Sequence, residues 1–276
     1  MATTTPNTAP STSTDAITAE EPTFNPHFLV VSLGNPAPYT ETLHSAGHLA
    51  LQSLQQTLHS QGRSQPSFSS NRIAKKATKA SLGEKYSLLQ CPTLMNISGP
   101  WIAKAWKEVL ANHVENQGQD PNRPLGLVIV NDDLEEDMAV VKVRKWDKSH
   151  RGHNGLKSIM ASMKPGDYQD SKWARISVGI GRPEARDGAT VSNYVLKPWS
   201  KQTKDLLYDK SAPGVLAALK DIEETWRLAR EKGKSGEVKG QQPKRAKKER
   251  SNGNETVRGK AVDTLADAIT IAIVDP

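Results

Sequence analysis

The chain has 276 residues, which suffices for one substantial domain or two small ones. Hydrophobic residues make up 36% of it, a low share for a compact domain, so part of the chain is not expected to enter a core. A single cysteine, Cys91, excludes an internal disulfide and a multi-cysteine metal cluster, and its apolar neighbours predict buried packing rather than a catalytic thiol. The formal net charge of +7 suits a polyanionic partner.

Three segments of different composition divide the chain. Residues 1–25 are Thr, Ser, Pro and Ala with almost no large apolar side chains, so they are predicted to be disordered. Residues 26–230 carry alternating strand and helix patterns and are predicted to form one domain. Residues 231–276 are predicted to be a basic low-complexity extension, unstructured from Glu231 to about Lys260.

Within the domain, predicted strands and helices alternate. Apolar runs and alternating patterns predict strands at 28–33, 85–90, 125–130, 138–144 and 175–180. Apolar residues at helical spacing predict helices around 51–58, 101–110, 156–163 and 205–228, the last interrupted by Pro213. This alternation is typical of a single three-layer α/β domain, in which helices flank a twisted, mixed but mostly parallel sheet.

Polar residues follow two of these strands directly. Asn35 comes after the first strand and Asp132 after the central one, and such sheets bind ligands beyond the carboxyl ends of their strands. His44 lies just before the first helix, and an imidazole suits a general base because it is mostly neutral at cellular pH yet accepts a proton. Asp132 is the candidate to hold its second ring nitrogen. Taken singly, each has an alternative: a packed histidine, or an aspartate that caps a helix or turn.

Two Asn-centred loops add candidate substrate contacts. Asn96 precedes the helix that contains Trp101, and Asn154 precedes the helix that contains Leu156. An asparagine amide both donates and accepts hydrogen bonds, so it can hold a peptide or stabilise an oxyanion. The alternative role for each is helix capping.

Several well-known catalytic patterns do not occur in the sequence. It contains no Gly-x-Ser-x-Gly, no Gly-x-x-x-x-Gly-Lys-Ser/Thr and no His-Glu-x-x-His. His150 and His153 are close in sequence, but Asp147 is the only nearby carboxylate, so no metal site is predicted. The segment 179–183 is too short for a dinucleotide site and is interpreted as a turn that ends a strand.

Positive charge is concentrated in two places. Between Lys232 and Lys260 there are ten Lys and Arg against three Glu, a balance of +7 that equals the excess of the whole chain. We expect this tail to add sequence-independent affinity for RNA or the ribosome, or else to serve only solubility. The second cluster lies between Lys142 and Lys164, with seven Lys and Arg against Asp147 alone, and it surrounds the loop of Asn154.

The sequence contains neither a membrane span nor a recognisable signal. No apolar run approaches the eighteen or so residues that cross a bilayer. No Lys or Arg occurs before Arg63, unlike in a signal peptide, and the early acids count against a mitochondrial transit peptide. We therefore predict a cytoplasmic protein that does not contact membranes, with a mitochondrial location as the alternative.

In order along the chain, these segments resemble the bacterial-type peptidyl-tRNA hydrolases, which also occur in eukaryotic organelles and fungi. The shared segments are Leu33-Gly34-Asn35-Pro36 with Tyr39 and Thr42-x-His44-x-x-Gly47; Pro92-Thr93-x-Met95-Asn96-x-Ser98-Gly99; Asp132-Asp133-Leu134; Gly152-His153-Asn154-Gly155-Leu156-Lys157; Gly179-Ile180-Gly181-Arg182-Pro183; and Tyr194-Val195-Leu196-x-Pro198. Each segment alone is weakly specific, whereas six in order between residues 28 and 200 are a strong signal.

The resemblance implies an activity, the hydrolysis of the ester between a peptide and the 3′-terminal ribose of tRNA, which recycles the tRNA. It implies that His44 activates water and that Asp132 orients His44. It implies substrate contacts for Asn35, Tyr39, Met95, Asn96, His153 and Asn154. It implies no metal and no organic cofactor, and we expect a monomer.

Departures from the family pattern concentrate on the expected tRNA contacts. Leu43 stands where the family usually has Arg, and Ser45 replaces a common Asn. The late-strand Arg that binds phosphate in the family aligns with Ser177, next to which Arg175 is retained. Since a Coulombic contact tolerates relocation, we expect the phosphate-binding residues to be Arg144, Lys145, Lys148, Arg151 and Arg175.

A second function, from a different class, fits the same fold. A non-catalytic RNA-binding protein, of the kind that serves splicing in plant organelles, would keep the fold without needing its chemistry. Retention of His44, Asp132 and all three asparagines favours the enzyme.

Overall fold

The structure is a computed structural model that describes residues 23–168 and 172–237. The tail predicted at 1–25 lies outside the described residues except for its last three, and so does the basic extension beyond Glu237. The described chain up to Lys234 belongs to one compact unit, and of a second unit only residues 235–237 are described.

Seven strands form one sheet. They are β1 His27–Ser32, β2 Ser69–Ile73, β3 Lys76–Leu82, β4 Tyr86–Gln90, β5 Leu125–Asp133, β6 Val141–Lys145 and β7 Lys172–Gly179. Their order is β2-β3-β4-β1-β5-β7-β6, with β4, β1, β5 and β7 parallel and the other three antiparallel to their neighbours. The predicted mixed sheet is confirmed, and its parallel strands are the central ones.

Within the described residues, helices cover both faces of this sheet. They are α1 Ala46–Ser60, α2 Ser98–Gln117, α3 Asn154–Ser162, α4 Gly188–Val195 and α5 Lys201–Glu237. Side chains of α1 and α5 share a core with one face, and those of α2 and α3 share a core with the other, which confirms the three-layer prediction. None of these helices is both long and apolar enough to cross a membrane.

The central strands are buried throughout because both of their faces are covered. On β1, Phe28 and Val30 face α1 and α5, whereas Leu29 and Val31 face α2 and α3. β1 and β5 run side by side, with Ser32 opposite Val130. The residues that follow these two strands therefore emerge at the same edge of the sheet.

The predictions missed the strands β2 and β3 and the helix α4. β2 is mostly polar and exposed, and its turn into β3 uses positive φ angles at Ala74 and Lys75 instead of the Gly or Asn that marks a hairpin. In α4 the one buried side chain is Val195, so the helix has no apolar periodicity. Its sequence signal is Asp187, which caps the helix by accepting from Thr190 N–H at 2.9 Å.

The last helix is longer than predicted and is not interrupted. Pro213 lies on its exposed side, and the buried residues Val215, Leu219 and Ile222 hold the helix against the sheet on the far side of the proline. The helix was predicted to end at residue 228 and the chain to be unstructured from Glu231, whereas α5 continues to Glu237. Ion pairs of Arg227 with residues three before and four after it support the extra turns.

Candidate active site

His44 and Asp132 are brought together from two neighbouring parallel strands. The chain leaves β1 and makes two 3-10 turns, Tyr39–Glu41 and then Leu43–Ser45, before α1 begins. Leu43 is buried in the core, which anchors the turn. Asp132 is the last residue but one of β5 and is 2% exposed, so the predicted pair sits at the carboxyl edge of the sheet.

The two side chains form a close hydrogen-bonded pair. His44 Nδ1 lies 2.9 Å from one carboxylate oxygen of Asp132 and 3.0 Å from the other. Burial opposes protonation of His44, but the charge and hydrogen bonds of Asp132 outweigh it, so the pKa of His44 is raised. Burial alone would raise the pKa of Asp132. The charges and hydrogen bonds of the two histidines beside it outweigh that effect and hold its pKa well below the usual value. Asp132 is therefore ionised, and the capping role considered for it is not the one that it has.

His153 is the second histidine on Asp132, which it contacts through Nε2 at 2.9 Å. Its Nδ1 accepts from the backbone N–H of Gly155 at 3.1 Å and of Leu156 at 3.3 Å, so His153 rather than Asn154 caps α3. Because Nδ1 accepts, the ring proton is on Nε2 and is donated to Asp132. Asp132 thus orients two rings, whose centroids are 5.0 Å apart.

The same three side chains are a possible ligand set for a metal ion. Their ligand atoms, from His44, Asp132 and His153, lie within 4.8 Å of one another. These atoms already hydrogen-bond to one another. A metal ion that bound them would therefore have to displace a proton or break one of these hydrogen bonds. The arrangement is therefore complete as a proton-handling site without an ion.

Ser45 is a site residue that the sequence analysis recorded only as a departure. It is fully buried; its hydroxyl donates to the backbone oxygen of Tyr39 at 2.9 Å and accepts from the backbone N–H of Asn35 at 3.0 Å. The side-chain oxygen of Asn35 accepts in turn from the backbone N–H of Met95 at 2.9 Å. This chain of bonds joins three loops, and among the described residues it leaves the Asn35 amide group without an acceptor. The spacing of residues in the sequence gave no signal for this role of Ser45.

A cleft of about 650 Å³ opens beside the His–Asp pair. The predicted substrate residues Asn35, Tyr39, Met95, Asn96, His153 and Asn154 all line it. The side chains of Asn96 and Asn154 are exposed and have no hydrogen-bond partner among the described residues, so both side-chain amides are available to a ligand. Met95 is buried and forms part of the cleft wall.

Two glycines of the shared segments are required by close packing behind this cleft. A Cβ at Gly47 would lie 2.7 Å from the backbone oxygens of both Leu33 and Val130. A Cβ at Gly155 would lie 2.6 Å from the sulfur of Met95. Both contacts are too short for any side chain, so glycine lets α1 and α3 approach the strand ends.

The late segment 194–198 supports the turn that carries His44. The backbone N–H of Leu43 donates to the oxygen of Lys197 at 3.2 Å, and Thr42 forms an isolated bridge with Pro198. The Tyr194 hydroxyl donates to the backbone oxygen of Ile180 at 2.7 Å, beyond the end of β7. These contacts give the two late shared segments a structural role behind the site.

The predicted phosphate contacts separate into two groups. Lys148 and Arg151 are exposed and line the cleft, and Lys145 is exposed but does not line it. Arg144 lines the cleft but is ion-paired with Glu136 and, at 3.2 Å, with Asp133. These ion pairs partly neutralise the second basic cluster. The charge count missed Asp133 and Glu136 because they lie outside the counted segment.

Arg175 is predicted as a phosphate contact, but the structure buries its side chain. It is 3% exposed, and its Nε donates to the backbone oxygen of Lys145 at 3.1 Å. Its Nη2 donates to the backbone oxygen of Lys148. A guanidinium buried in this way between two peptide groups is not presented to a phosphate, although it borders the cleft.

The sheet and the buried His–Asp pair at its strand ends define a three-layer α/β protein whose site can accept and hold a proton. The chain belongs to the peptidyl-tRNA hydrolase family, whose model matches residues 29–239. Its activity is therefore hydrolysis of the ester bond in peptidyl-tRNA, and peptidyl-tRNA is its substrate, as the sequence analysis predicted.

The chain is similar to bacterial peptidyl-tRNA hydrolases along most of their length. The protein of Citrifermentans bemidjiense is 32% identical over 188 residues, which is 66% of this chain and 84% of that protein. The protein of Delftia acidovorans is 33% identical, covering 68% and 81%, and that of Corynebacterium efficiens is 35% identical, covering 64% and 85%. A crystal structure of the Acinetobacter baumannii enzyme is 21% identical with a TM-score of 0.49, over 74% of this chain and 96% of that one.

Proposed function

We propose that His44 is the general base of the ester hydrolysis and that Asp132 orients it. The observation that carries this proposal is the bond from His44 Nδ1 to Asp132 at 2.9 Å. That bond places the ring proton on Nδ1 and leaves Nε2 with no partner among the described residues, at the wall of the cleft. A water held at Nε2 would lose its proton to His44 as its oxygen attacks the ester carbonyl. The carboxylate of Asp132 stabilises the imidazolium that results. As the tetrahedral intermediate collapses, the bond from the carbonyl carbon to the ribose 3′ oxygen breaks, and the imidazolium returns its proton to that oxygen as the tRNA leaves.

The asparagines have distinct roles in this proposal. Asn35 is fixed through its oxygen by the Met95 N–H, so its amide group donates to the substrate in a set direction. The side-chain amides of Asn96 and Asn154 are exposed in the cleft and have no hydrogen-bond partner among the described residues. They are therefore suited to contact the peptide and to stabilise the developing oxyanion. Tyr39, Met95 and His153 complete the walls around the ester.

The side chains proposed to meet tRNA phosphates are those of Lys148 and Arg151. Both are exposed, both border the cleft and neither is ion-paired among the described residues. Lys145 is exposed nearby and would add long-range attraction. Contacts of this kind position the tRNA without reading its sequence.

The catalytic proposal is tested by His44→Ala, assayed for release of peptide from purified peptidyl-tRNA. Loss of the base should lower kcat by roughly 10²- to 10⁴-fold while tRNA binding changes little. His59→Ala, which removes an exposed histidine of α1, is the matched control and should keep full activity. Near-normal turnover in His44→Ala would show that another group is the base. A wild-type protein that binds tRNA without turnover would support the non-catalytic alternative.

We also propose that the protein acts as a monomer in the cytoplasm. The monomer is the state that the resemblance to the family implies. Sedimentation at assay concentrations tests the monomer. Imaging of the tagged native protein tests the cytoplasm against the mitochondrion.

A further inference from the structure

We infer that Arg175 is a positioning residue that anchors the basic loop 145–152 to the sheet and thereby places Lys148 and Arg151 for tRNA. This inference rests on the proposed phosphate role of those two side chains. It gives Arg175 a different role from the direct phosphate contact expected of it.

The anchoring contacts come from one buried side chain in the middle of β7. Arg175 donates through Nε to Lys145 O, where β6 ends, and through Nη2 to Lys148 O, three residues into the loop. Burial lowers the pKa of the guanidinium, and the charge of Asp147, which lies on the same loop, acts against that effect. The loop thus supplies both acceptors and one of the compensating charges for this buried cation.

The loop is held at its two ends and open between them. At its start, Trp146 is buried against Trp173 of β7, with ring centroids 4.7 Å apart. At its far end, His153 bonds to Asp132 and caps α3. Between these points lie the exposed side chains of Lys148 and Arg151. Arg175 ties the sheet to the stretch between these two ends.

The chemistry of the anchor explains why arginine is used. A guanidinium is planar and directs several N–H groups in a fixed fork, so one side chain can hold two backbone oxygens at once. An ammonium carries the same charge on a single atom and cannot span both acceptors with the same geometry. Replacement by lysine therefore separates a positioning role from a purely electrostatic one.

The first test compares Arg175→Met and Arg175→Lys with the wild type on two substrates. One substrate is peptidyl-tRNA; the other is an N-acetyl-aminoacyl ester of the trinucleotide CCA, which lacks the tRNA body. We expect KM for peptidyl-tRNA to rise roughly tenfold in both variants, since up to two phosphate contacts are misplaced. On the short ester, kcat and KM should stay within about twofold of the wild type, which also shows that the variant is folded. Arg72→Met, on the exposed strand β2 and outside the cleft, is the control for removing an arginine.

Three outcomes of this comparison would overturn the inference. They are equal losses on both substrates, no change on peptidyl-tRNA, and full rescue by lysine. Should Arg175→Met fail to fold, Arg175→Lys decides the same question, because it keeps the charge and loses the fork.

A double-mutant cycle tests whether Arg175 acts through the loop side chains. In a Lys148→Ala, Arg151→Ala background, Arg175→Lys should raise KM no further, whereas additive effects would contradict the inference. Hydrogen exchange of the amides of 146–152 gives a readout independent of tRNA and should speed up in Arg175→Lys. If the Lys148, Arg151 pair can be removed without raising KM, the phosphate proposal fails. If removing the pair raises KM but Arg175→Lys changes neither exchange nor KM, only the anchoring inference fails.

Discussion

His44 and Asp132 shift each other's pKa in opposite directions: that of His44 is raised and that of Asp132 is lowered. Asp132 raises the pKa of His44 against the effect of burial, and the histidines lower that of Asp132. Asp132 therefore stays charged over the working range of pH. His44 is active as a base only when neutral, so the fraction available falls as pH falls through its raised pKa.

The pH profile of kcat/KM tests this coupling. We expect its acidic limb at a pH above the usual imidazole value of about 6.5. Asp132→Asn removes the charge that raises the pKa of His44 while burial remains, so the limb should move to lower pH. The plateau should fall roughly 10²-fold because the ring is no longer held or its cation stabilised. Asp133→Asn makes the same change one residue away and should leave the limb in place. An acidic limb that stays put in Asp132→Asn would show that another group titrates there.

Ser45 shows how one side chain can connect the loops of a site although its position in the sequence gives no signal of that role. Its hydroxyl joins the loops of Asn35 and Tyr39, and Asn35 then bonds to Met95. Where the family commonly has Asn, serine still provides one acceptor and one donor. The function of this position depends on which backbone groups surround it, and those come from distant segments.

Among the elements, α2 and α3 approach each other more closely than any side chain would permit at one point. A Cβ at Gly99 would lie 2.0 Å from the backbone oxygen of Ser158, and the Gly99 N–H donates to the Ser158 hydroxyl at 2.9 Å. α3 begins at the cap of His153, so a shift of this helix moves a ring that is bonded to Asp132.

Gly99→Ala should therefore destabilise the fold by about 1–3 kcal/mol, the usual cost of overpacking. Chemical denaturation measures the loss, and activity should fall along with it. Gly166→Ala is the control, because a Cβ at Gly166 meets nothing within 4 Å. Equal stability of the two variants would mean that α2 and α3 separate at little cost.

The elements that the sequence predicts well are those buried on one or both faces. β1, β5 and α2 have apolar runs or stripes long enough to be recognised. β1 and β5 lie within three residues of their predicted bounds, and α2 contains its predicted stretch but ends seven residues later. The hairpin β2–β3 and the short helix α4 are largely exposed, so packing imposes little pattern on them. α5 was underestimated because its late turns depend on ion pairs and not on burial.

At the scale of the whole molecule, the basic tail is expected to add weak, salt-dependent affinity for RNA. Beyond Glu237 the chain has eight Lys and Arg up to Lys260, against Glu249 and Glu255. Truncation after Glu237 should weaken tRNA binding at low salt and flatten its dependence on salt concentration, since fewer counterions are released. A full-length variant with these eight residues changed to Gln controls for length and should behave like the truncation. An unchanged salt slope in both would leave the tail a solubilising segment.

The sequence by itself determined the family and the three-layer α/β fold, and it predicted which residues meet at the edge of the sheet. It could do so because buried strands and a fixed catalytic geometry constrain which residue types occur and in what order. The cleft confirms that Asn35, His44, Asp132 and Asn154 meet at one edge of the sheet.

Only the tertiary structure decided how the charges near the site are used. Arg144 is ion-paired with Asp133 and Glu136, and Arg175 is buried against the backbone of the loop, so two of five predicted phosphate contacts have other partners. The physical reason is that a charge carries no local pattern. Its role depends on the burial and on the partners that the fold brings to it from elsewhere in the chain.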